Sequence, residues 1–338
     1  MRFFNTVGPC EPHLHYMLSS PRLTALRVLI ERQHYVVLHA PPQSGKTTLL
    51  RVLARTLTDE GEHAAVLLSS ERAAAAPLDD LGAAEQVLLC AWREAATAHL
   101  PAALQPPPWP AAPPGDRIGA ALWRWARACP RPLVLFLEAV DALPSPLRLS
   151  LLCQLHSGSL HRPHGFPSSV FLCGVRDAYL LDHQFTIAAE SLRLQPFARD
   201  EIATLFAEHT HDTGQIFTVG ARDKVEELSG GQPWLVSALA AQMVEGEHDR
   251  TAPLTATHAA DAAERLLAGH TAHLAELAAH LRDPRVRRAL ASVTAGRPLS
   301  DMTDDDLRYA RDLGLVARDW PLRIANAMYK KLVATTSG

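Results

Sequence analysis

Residues 35–48 read YVVLHAPPQSGKTT, and this stretch decides the fold of the first half of the chain. The apolar run Tyr35–His39 predicts a short buried β-strand. The residues that follow it are rich in proline and glycine, which predicts a turn. From Lys46 to about Glu60, leucines recur at the three- and four-residue spacing of one helix face. The stretch therefore predicts a strand, a turn and a helix, in that order.

The turn has the composition of a phosphate-binding loop. The P-loop pattern is G-x-x-x-x-G-K-[ST]; Gly45, Lys46 and Thr47 match its end, and Ala40 stands where the first glycine is usual. Gly45 allows successive N–H groups to point at phosphate oxygens, and the helix adds its positive N-terminal end. We expect Lys46 to contact the β- and γ-phosphates and the Thr47 hydroxyl to ligate Mg²⁺. The predicted nucleotide-binding residues are Ala40, Pro41, Pro42, Gln43, Ser44, Gly45, Lys46, Thr47 and Thr48.

A second apolar run, at residues 133–143, reads LVLFLEAVDAL and contains an acid at the end of its predicted strand. P-loop ATPases place such an acid there to hold Mg²⁺, and a second acid beside it polarises the attacking water. Glu138 supplies the first acid, but Ala139 occupies the second position and cannot act as a base. Losing a positioned general base typically lowers the rate about 10²–10⁴-fold. We therefore expect binding to survive better than hydrolysis.

Two other acids are alternatives for the missing base. Asp141 is close to Glu138 in sequence but lies one turn further on. Glu71 follows the predicted strand His63–Ser69. If that strand neighbours Tyr35–His39, the Glu71 carboxylate is expected to face the γ-phosphate; otherwise Glu71 is a solvated loop or helix-cap acid.

A third buried strand, predicted at Ser169–Val175, delivers an arginine to the same sheet edge. Residues 170–177 read VFLCGVRD. Arg176 is expected to lie near the γ-phosphate, which a guanidinium can bind through two N–H groups. An ion pair with Asp177 is the alternative. The predicted catalytic residues are thus Glu138, Glu71 and Arg176, and the predicted metal ligands are Thr47 and Glu138.

The first half of the chain alternates strands with helices, which predicts a parallel α/β sheet. In Pro101–Pro114 half of the residues are proline, which predicts an extended surface loop inserted within the domain, because proline lacks the N–H that a helix or a central strand needs. A passive spacer and a docking segment both remain open for this loop. Further elements are predicted at Leu133–Leu137 and Ser191–Leu194 (strands) and at Asp79–Leu100, Asp116–Ala128 and Leu147–Gln154 (helices).

From Arg199 onward the pattern predicts helices only, until a winged-helix-like end over residues 284–333. Residues 304–326, DDDLRYARDLGLVARDWPLRIAN, have the look of a recognition-type helix followed by a β-wing. Winged helices commonly place a helix in the DNA major groove, and arginines contact phosphates. However, the recognition-like stretch Asp301–Leu313 opens with carboxylates that repel a phosphate backbone. The basic cluster before it comprises Arg282, Arg285, Arg287 and Arg288.

Composition restricts the possible functions. The formal net charge of −3 gives the whole molecule no general attraction for nucleic acid or an anionic membrane. The five cysteines are scattered without a CxxC pair, so neither a disulfide framework nor a zinc site is indicated. The N-terminus lacks the pattern of a signal peptide, and the apolar runs are too short to span a bilayer. These features predict a cytoplasmic protein.

Five segments, taken together and in this order, resemble AAA-like ATP-binding proteins of bacteria, in the STAND branch of the P-loop ATPases. They are HAPPQSGKTT (39–48), LVLFLEAVDAL (133–143), VFLCGVRD (170–177), LRLQPFARDEIATLF (192–206) and ELSGGQPWLVSALA (227–240). The resemblance covers nearly the whole chain. It implies that Pro233 of a GxP motif contacts the nucleotide from the lid and that Arg176 holds a sensor position. It also implies that His15 and Tyr16 lie near the base.

The resemblance implies an α/β P-loop sheet core, an all-α lid and a C-terminal winged-helix-like domain, with bounds at 1–196, 197–282 and 283–338. The bound cofactors are then ATP or ADP with Mg²⁺, and a protein partner or self-association passes on the signal. Most relatives carry Asp-Glu where this chain has Glu138-Ala139. Three hypotheses follow: an ATP-binding switch with slow or absent hydrolysis, a nucleotide-binding pseudoenzyme scaffold that acts through a partner protein, and an ATP-regulated DNA-binding protein.

Overall fold

The computed structural model describes residues 2–18, 22–77, 79–175, 190–269, 271–295 and 302–336. The chain forms two compact units. The sheet unit comprises Ser20–His39 and Thr47–Leu194, and the helical unit comprises Met1–Ser19, Ala40–Lys46 and Gln195–Gly338. Each unit has its own buried apolar cluster.

In the part of the chain that the structure describes, the sheet has five parallel strands, which pair in the order β2-β3-β4-β1-β5. Most residues of β1, β2, β3 and β4 are apolar and buried. This is expected for a parallel sheet that is covered on both faces. The register places His39 opposite Gly174 and Arg193, and Glu138 opposite Ser69 and Cys173. The strands are β1 (Tyr35–His39), β2 (Ala64–Ser69), β3 (Leu133–Glu138), β4 (Ser169–Gly174) and β5 (Glu190–Arg193).

The helices around the sheet follow the predicted alternation. The predicted helix face of α2 is observed, since Leu50, Leu53 and Leu57 are buried. The fifth helix continues to Ser159, beyond the predicted end at Gln154, because Leu151, Leu152 and Leu155 bury its inner face through this region. These helices are α1 (Arg22–Glu31), α2 (Lys46–Asp59), α3 (Leu81–His99), α4 (Arg117–Ala128) and α5 (Ser145–Ser159).

The proline-rich segment 101–114 is irregular apart from a 3₁₀ turn at Ala102–Leu104. It is docked against the sheet unit at specific points. The Trp109 indole N–H donates to the Leu89 carbonyl at 3.0 Å, and the Arg93 guanidinium donates to the Pro107 carbonyl at 2.6 Å. Arg93 also lies over the Trp109 ring at 4.6 Å. The segment therefore covers part of α3.

The helical unit begins with five helices that match the predicted all-α region. They share one apolar cluster with residues of the N-terminal segment, including Phe4 and Tyr16. The N-terminal segment was predicted to belong with the sheet domain; it packs instead in the helical unit, because Phe4 and Tyr16 bury their rings there. These helices are α6 (Arg199–Thr213), α7 (Val219–Ser229), α8 (Pro233–Gly246), α9 (Ala256–Ala268) and α10 (Ala272–His280).

The C-terminal part contains α11 (Pro284–Ala295), α12 (Asp304–Asp312) and α13 (Ala327–Thr336), with a hairpin before α13. Val316 and Ile324 form an antiparallel bridge in this hairpin. The winged-helix assignment and the domain bounds at 196 and 282 stay predictions. Asp301 lies outside the described residues.

Two of the acids of α12 are buried and paired with arginines. Asp306 is 1% exposed and accepts from the Arg288 guanidinium at 2.7 and 2.8 Å. Asp312 is 2% exposed and accepts from Arg318 at 2.7 Å. Hydrogen bonds from Arg288 hold the pKa of Asp306 well below its usual range. The predicted repulsion of phosphate therefore has to come from the exposed acids Asp304 and Asp305.

Candidate nucleotide-binding site

The backbone of the P-loop has the shape that its sequence predicts. Gly45 has φ +80°, and Gln43 has φ +58°, both in the left-handed region. A Cβ on Gly45 would meet no atom within 4 Å, so the glycine is required by its φ angle rather than by crowding. Ala40, in place of the first glycine, is 1% exposed. Pro41 and Pro42 carry no N–H, so the amide donors of the loop begin at Gln43.

Lys46 is held inside the loop. Its ammonium donates to the carbonyls of Ala40 at 2.6 Å and Pro41 at 3.0 Å, and to the Ser44 hydroxyl at 3.4 Å. An ammonium group has three N–H donors, and these contacts place its charge against the backbone of the loop. This positive charge beside amide donors suits a polyphosphate.

Thr47 and Glu138 are brought together although 91 residues separate them in sequence. The Thr47 hydroxyl donates to one carboxylate oxygen of Glu138, the last residue of β3. Mg²⁺ prefers oxygen ligands and is commonly bound through one or two carboxylates together with phosphates. The donor set at this point therefore fits Mg²⁺, and these two residues would hold it.

The position after Glu138 has an unusual backbone. Ala139 has φ +58°, which a residue with a Cβ adopts at a cost of about 1–2 kcal/mol. A 3₁₀ turn, Val140–Ala142, follows directly. The methyl group of Ala139 offers no acid or base at this point.

Asp141, one alternative for the base, is engaged in a structural contact. Its carboxylate accepts from the Val175 backbone N–H at 2.8 Å. A Cβ on Gly174 would lie 2.8 Å from this carboxylate, so the contact requires glycine there. Asp141 thus fixes the end of β4 just before Arg176. Arg176 and Asp177 lie outside the described residues.

Glu71, the other alternative, loses the premise on which it was predicted. Strand β2 does not neighbour β1, because β3 and β4 lie between them. Glu71 is exposed and begins a 3₁₀ turn, Glu71–Ala75. The condition on which Glu71 was expected to face the γ-phosphate is therefore not met, because strand order is set by packing that the local sequence does not encode. A catalytic role for Glu71 stays a prediction.

Helix α8 contacts the P-loop through Gln232, a residue that the sequence motifs did not indicate. Gln232 caps α8: its amide oxygen accepts from the Leu235 N–H at 2.6 Å. Its amide nitrogen donates to the P-loop carbonyls of Gln43 at 3.0 Å and Pro42 at 3.5 Å. Pro233, predicted to contact the nucleotide, is the buried first residue of α8. The only sequence signal for Gln232 is its place between the two glycines and Pro233.

The turn before α8 is fixed by its glycines. Gly230 and Gly231 have φ +57° and +73°. A Cβ on Gly231 would lie 2.1 Å from the Phe197 carbonyl oxygen, and the Phe197 N–H donates to the Gly231 carbonyl at 2.7 Å. This close approach of two backbones sets the position from which Gln232 extends.

The C-terminal hairpin also contacts the P-loop. A Cβ on Gly314 would lie 2.9 Å from the Cβ and Cγ atoms of Pro41. Gly314 has φ +76° and ends the segment after α12. The P-loop is therefore flanked by both α8 and the C-terminal region within the helical unit.

Tyr16 and His15, predicted near the base, are largely buried by the protein itself. Tyr16 is 2% exposed, and its ring lies 4.8 Å from Phe4 and 5.4 Å from His209. Burial raises the pKa of Tyr16. His15 accepts from the Glu11 N–H at 2.8 Å. These contacts assign both residues to the core, and a role at the base stays a prediction.

Comparison with known proteins agrees with this geometry. Residues 21–163 match the family model described as AAA ATPase domain. No curated protein is significantly similar to the chain. Among solved structures, the Walker-type ATPase PABY2304 of Pyrococcus abyssi is similar at a TM-score of 0.62 with 12% identity, covering 98% of this chain and 99% of that one. Cdc6p of Pyrobaculum aerophilum is similar at a TM-score of 0.52 with 12% identity, covering 94% and 92%.

The sheet topology and the family match agree on one kind of domain. The parallel five-stranded sheet with its P-loop is the fold of the P-loop ATPases. The family match over residues 21–163 supports an AAA-type ATPase domain within it. Such domains imply binding of a nucleotide, typically with Mg²⁺. None of the helices in the described part of the chain has the length and apolar character of a membrane span.

Proposed function

We propose that this chain is an ATP-binding molecular switch of the STAND type, with slow or absent hydrolysis. One observation carries the proposal: Lys46 and the Thr47–Glu138 pair are set up for a Mg-nucleotide, while Ala139 stands where the base is needed. Bound Mg²⁺ would neutralise charge on the phosphates. Lys46 would bind phosphate oxygens, and Thr47 and Glu138 would hold the metal.

The switch role is supported by the surroundings of the P-loop. Gln232 of the lid and Gly314 of the C-terminal region both contact the loop. A ligand that changes the loop therefore acts on both regions, which is the physical requirement for population shift between two states. We propose that the resulting change is passed to a partner protein or to a second copy of the chain.

The second candidate is a pseudoenzyme scaffold that binds nucleotide without turnover. It is favoured by the engagement of Asp141 with Val175, which leaves this carboxylate committed to holding β4. Phosphate release separates the two candidates. A slow release that vanishes on Lys46→Ala supports the switch with hydrolysis, whereas no release with a nucleotide-dependent rise in Tm supports the scaffold.

Calorimetry with Mg-ATP and Mg-ADP tests nucleotide binding itself. Wild type is expected to bind both, and Lys46→Ala is expected to weaken the affinity about 10- to 100-fold, because a charged hydrogen-bond donor to phosphate is lost. Lys224→Ala is the matched control, since Lys224 pairs with Glu227 on the surface of α7. Absence of binding by wild type would refute the proposal.

A further inference from the structure

We infer that Gln232 is a positioning residue of the phosphate site: from the lid, it orients the amide groups that bind the nucleotide phosphates. This inference rests on the proposed function and adds to it a residue outside the P-loop pattern. The Gln232 amide nitrogen donates to two carbonyls of the P-loop, those of Pro42 at 3.5 Å and Gln43 at 3.0 Å.

Each of these carbonyls belongs to the same planar peptide unit as an N–H group of the P-loop. The Pro42 carbonyl belongs to the same peptide unit as the Gln43 N–H, and the Gln43 carbonyl to the same unit as the Ser44 N–H. In a trans peptide the C=O and the N–H point in opposite directions. A donor that holds both carbonyls therefore turns both N–H groups towards the opposite side of the loop.

Lys46 makes a different set of contacts with the loop. Lys46 donates to the carbonyls of Ala40 and Pro41. The peptide units of these two carbonyls continue into Pro41 and Pro42, which have no N–H. Lys46 thus contacts mainly the donor-free half of the loop, with a longer contact to the Ser44 hydroxyl at 3.4 Å. Gln232 contacts the carbonyls beside the first amide donors.

The contact is made from a rigid base. The Gln232 amide oxygen caps α8 at Leu235 while the nitrogen reaches the P-loop, so both ends of the amide group are fixed. The preceding Gly231 is held against Phe197 by a backbone hydrogen bond. At the other end, Gln43 is held at φ +58°, a conformation in which an L-residue persists when its surroundings stabilise it.

Two substitutions separate positioning of the P-loop from capping of the helix. Gln232→Ser retains a good N-cap oxygen but is too short to reach the loop. Gln232→Glu retains both the length and the cap acceptor but replaces the amide donor by a carboxylate, which repels the carbonyls. Gln242→Glu is the control on the same helix, because its amide donates to Glu245 instead.

The measurement is calorimetric titration of the full chain with Mg-ATP and Mg-ADP, beside urea unfolding of each variant. We expect both Gln232 variants to raise Kd for ATP and ADP about tenfold by loss of preorganised donors, with unchanged unfolding midpoints and with Gln242→Glu at the wild-type Kd. Wild-type Kd values in folded Gln232 variants, or an equal loss in Gln242→Glu, would overturn the inference while the proposed function stands. If wild type itself binds neither nucleotide, both proposals fall.

Discussion

Ala139 combines a strained backbone with a missing functional group. Its φ of +58° directly after Glu138 places a small side chain at the end of β3, where P-loop ATPases use a second acid. Strain of this kind tends to persist at functional sites because the surrounding structure stabilises it. Ala139 thus places a strained backbone, but no acid or base, directly after Glu138.

This predicts a gain of function at a single residue. Ala139→Glu is expected to raise the rate of ATP hydrolysis about 10²-fold or more, because a positioned general base is restored. The measurement is phosphate release under saturating Mg-ATP. Ala139→Gln is the matched control, since it has the same size but cannot accept the proton. Equal rates in the two variants would contradict the prediction.

At the scale of elements, the sequence predicted the strands well and their neighbours less well. Tyr35–His39 is observed with the predicted bounds, because an apolar run between turns is a local signal. The edge position of β2 is not local: it depends on which strands pack together. The expected position of Glu71 depended on β2 lying next to β1, which the observed strand order does not give. The end of α5 at Ser159 was not predicted because the last turn of this helix carries polar residues.

Some residues of the candidate site were predicted from local sequence motifs, and Gln232 was not. Local motifs predicted Lys46, Thr47 and Glu138. In the structure Lys46 contacts the P-loop backbone, and Thr47 contacts Glu138. Gln232 was not predicted, since its contact with Gln43 spans 189 residues and nothing in a lone glutamine indicates a distant carbonyl. Hydrogen bonds between remote elements become visible only once the elements are packed.

The helical unit contains a buried histidine that predicts a dependence of stability on pH. His273 on α10 is 5% exposed, its ring lies 4.7 Å from that of Trp234, and burial lowers its pKa from 6.5 to about 4. Between pH 6.5 and about pH 4, the imidazole of His273 is protonated in the unfolded chain but neutral in the folded chain. Stability contributed by the neutral imidazole is therefore present above pH 6.5 and is lost as the pH falls towards 4.

We expect the free energy of unfolding to fall by at most about 3 kcal/mol from this group over that range, and His273→Phe to make the dependence shallower. Urea unfolding at several pH values measures this. The burial of His209, which lowers its pKa as well, leaves part of the dependence in place. His211→Gln, at an exposed position on α6, should behave as wild type. A slope unchanged in His273→Phe would contradict the assignment.

At the scale of the whole molecule, charge argues against a nucleic-acid partner. The net charge is −3, and two arginines of the predicted basic cluster are already paired. Arg285 donates to Asp283 at 2.8 Å and lies over the Tyr309 ring, and Arg288 donates to Asp306. A guanidinium that is already paired with a carboxylate contributes less free energy to the binding of a phosphate.

Gel shifts with duplex DNA are therefore expected to show no retention between about 50 mM and about 200 mM salt, with or without ATP. The variant Asp306→Asn serves as a comparison, because it releases Arg288 from its charged partner. Retention of wild type that weakens steeply with salt would instead support the hypothesis of an ATP-regulated DNA-binding protein.

The two prolines of the P-loop also restrict the backbone of the free loop. Each ring fixes its own φ angle, so Pro41 and Pro42 reduce the number of shapes that the free loop can sample. A loop with less freedom has less entropy to lose when it closes on a ligand. Pro41 and Pro42 together therefore favour tight capture of a polyphosphate by a loop that is already stiff, and Pro42→Gly should bind with a more unfavourable entropy.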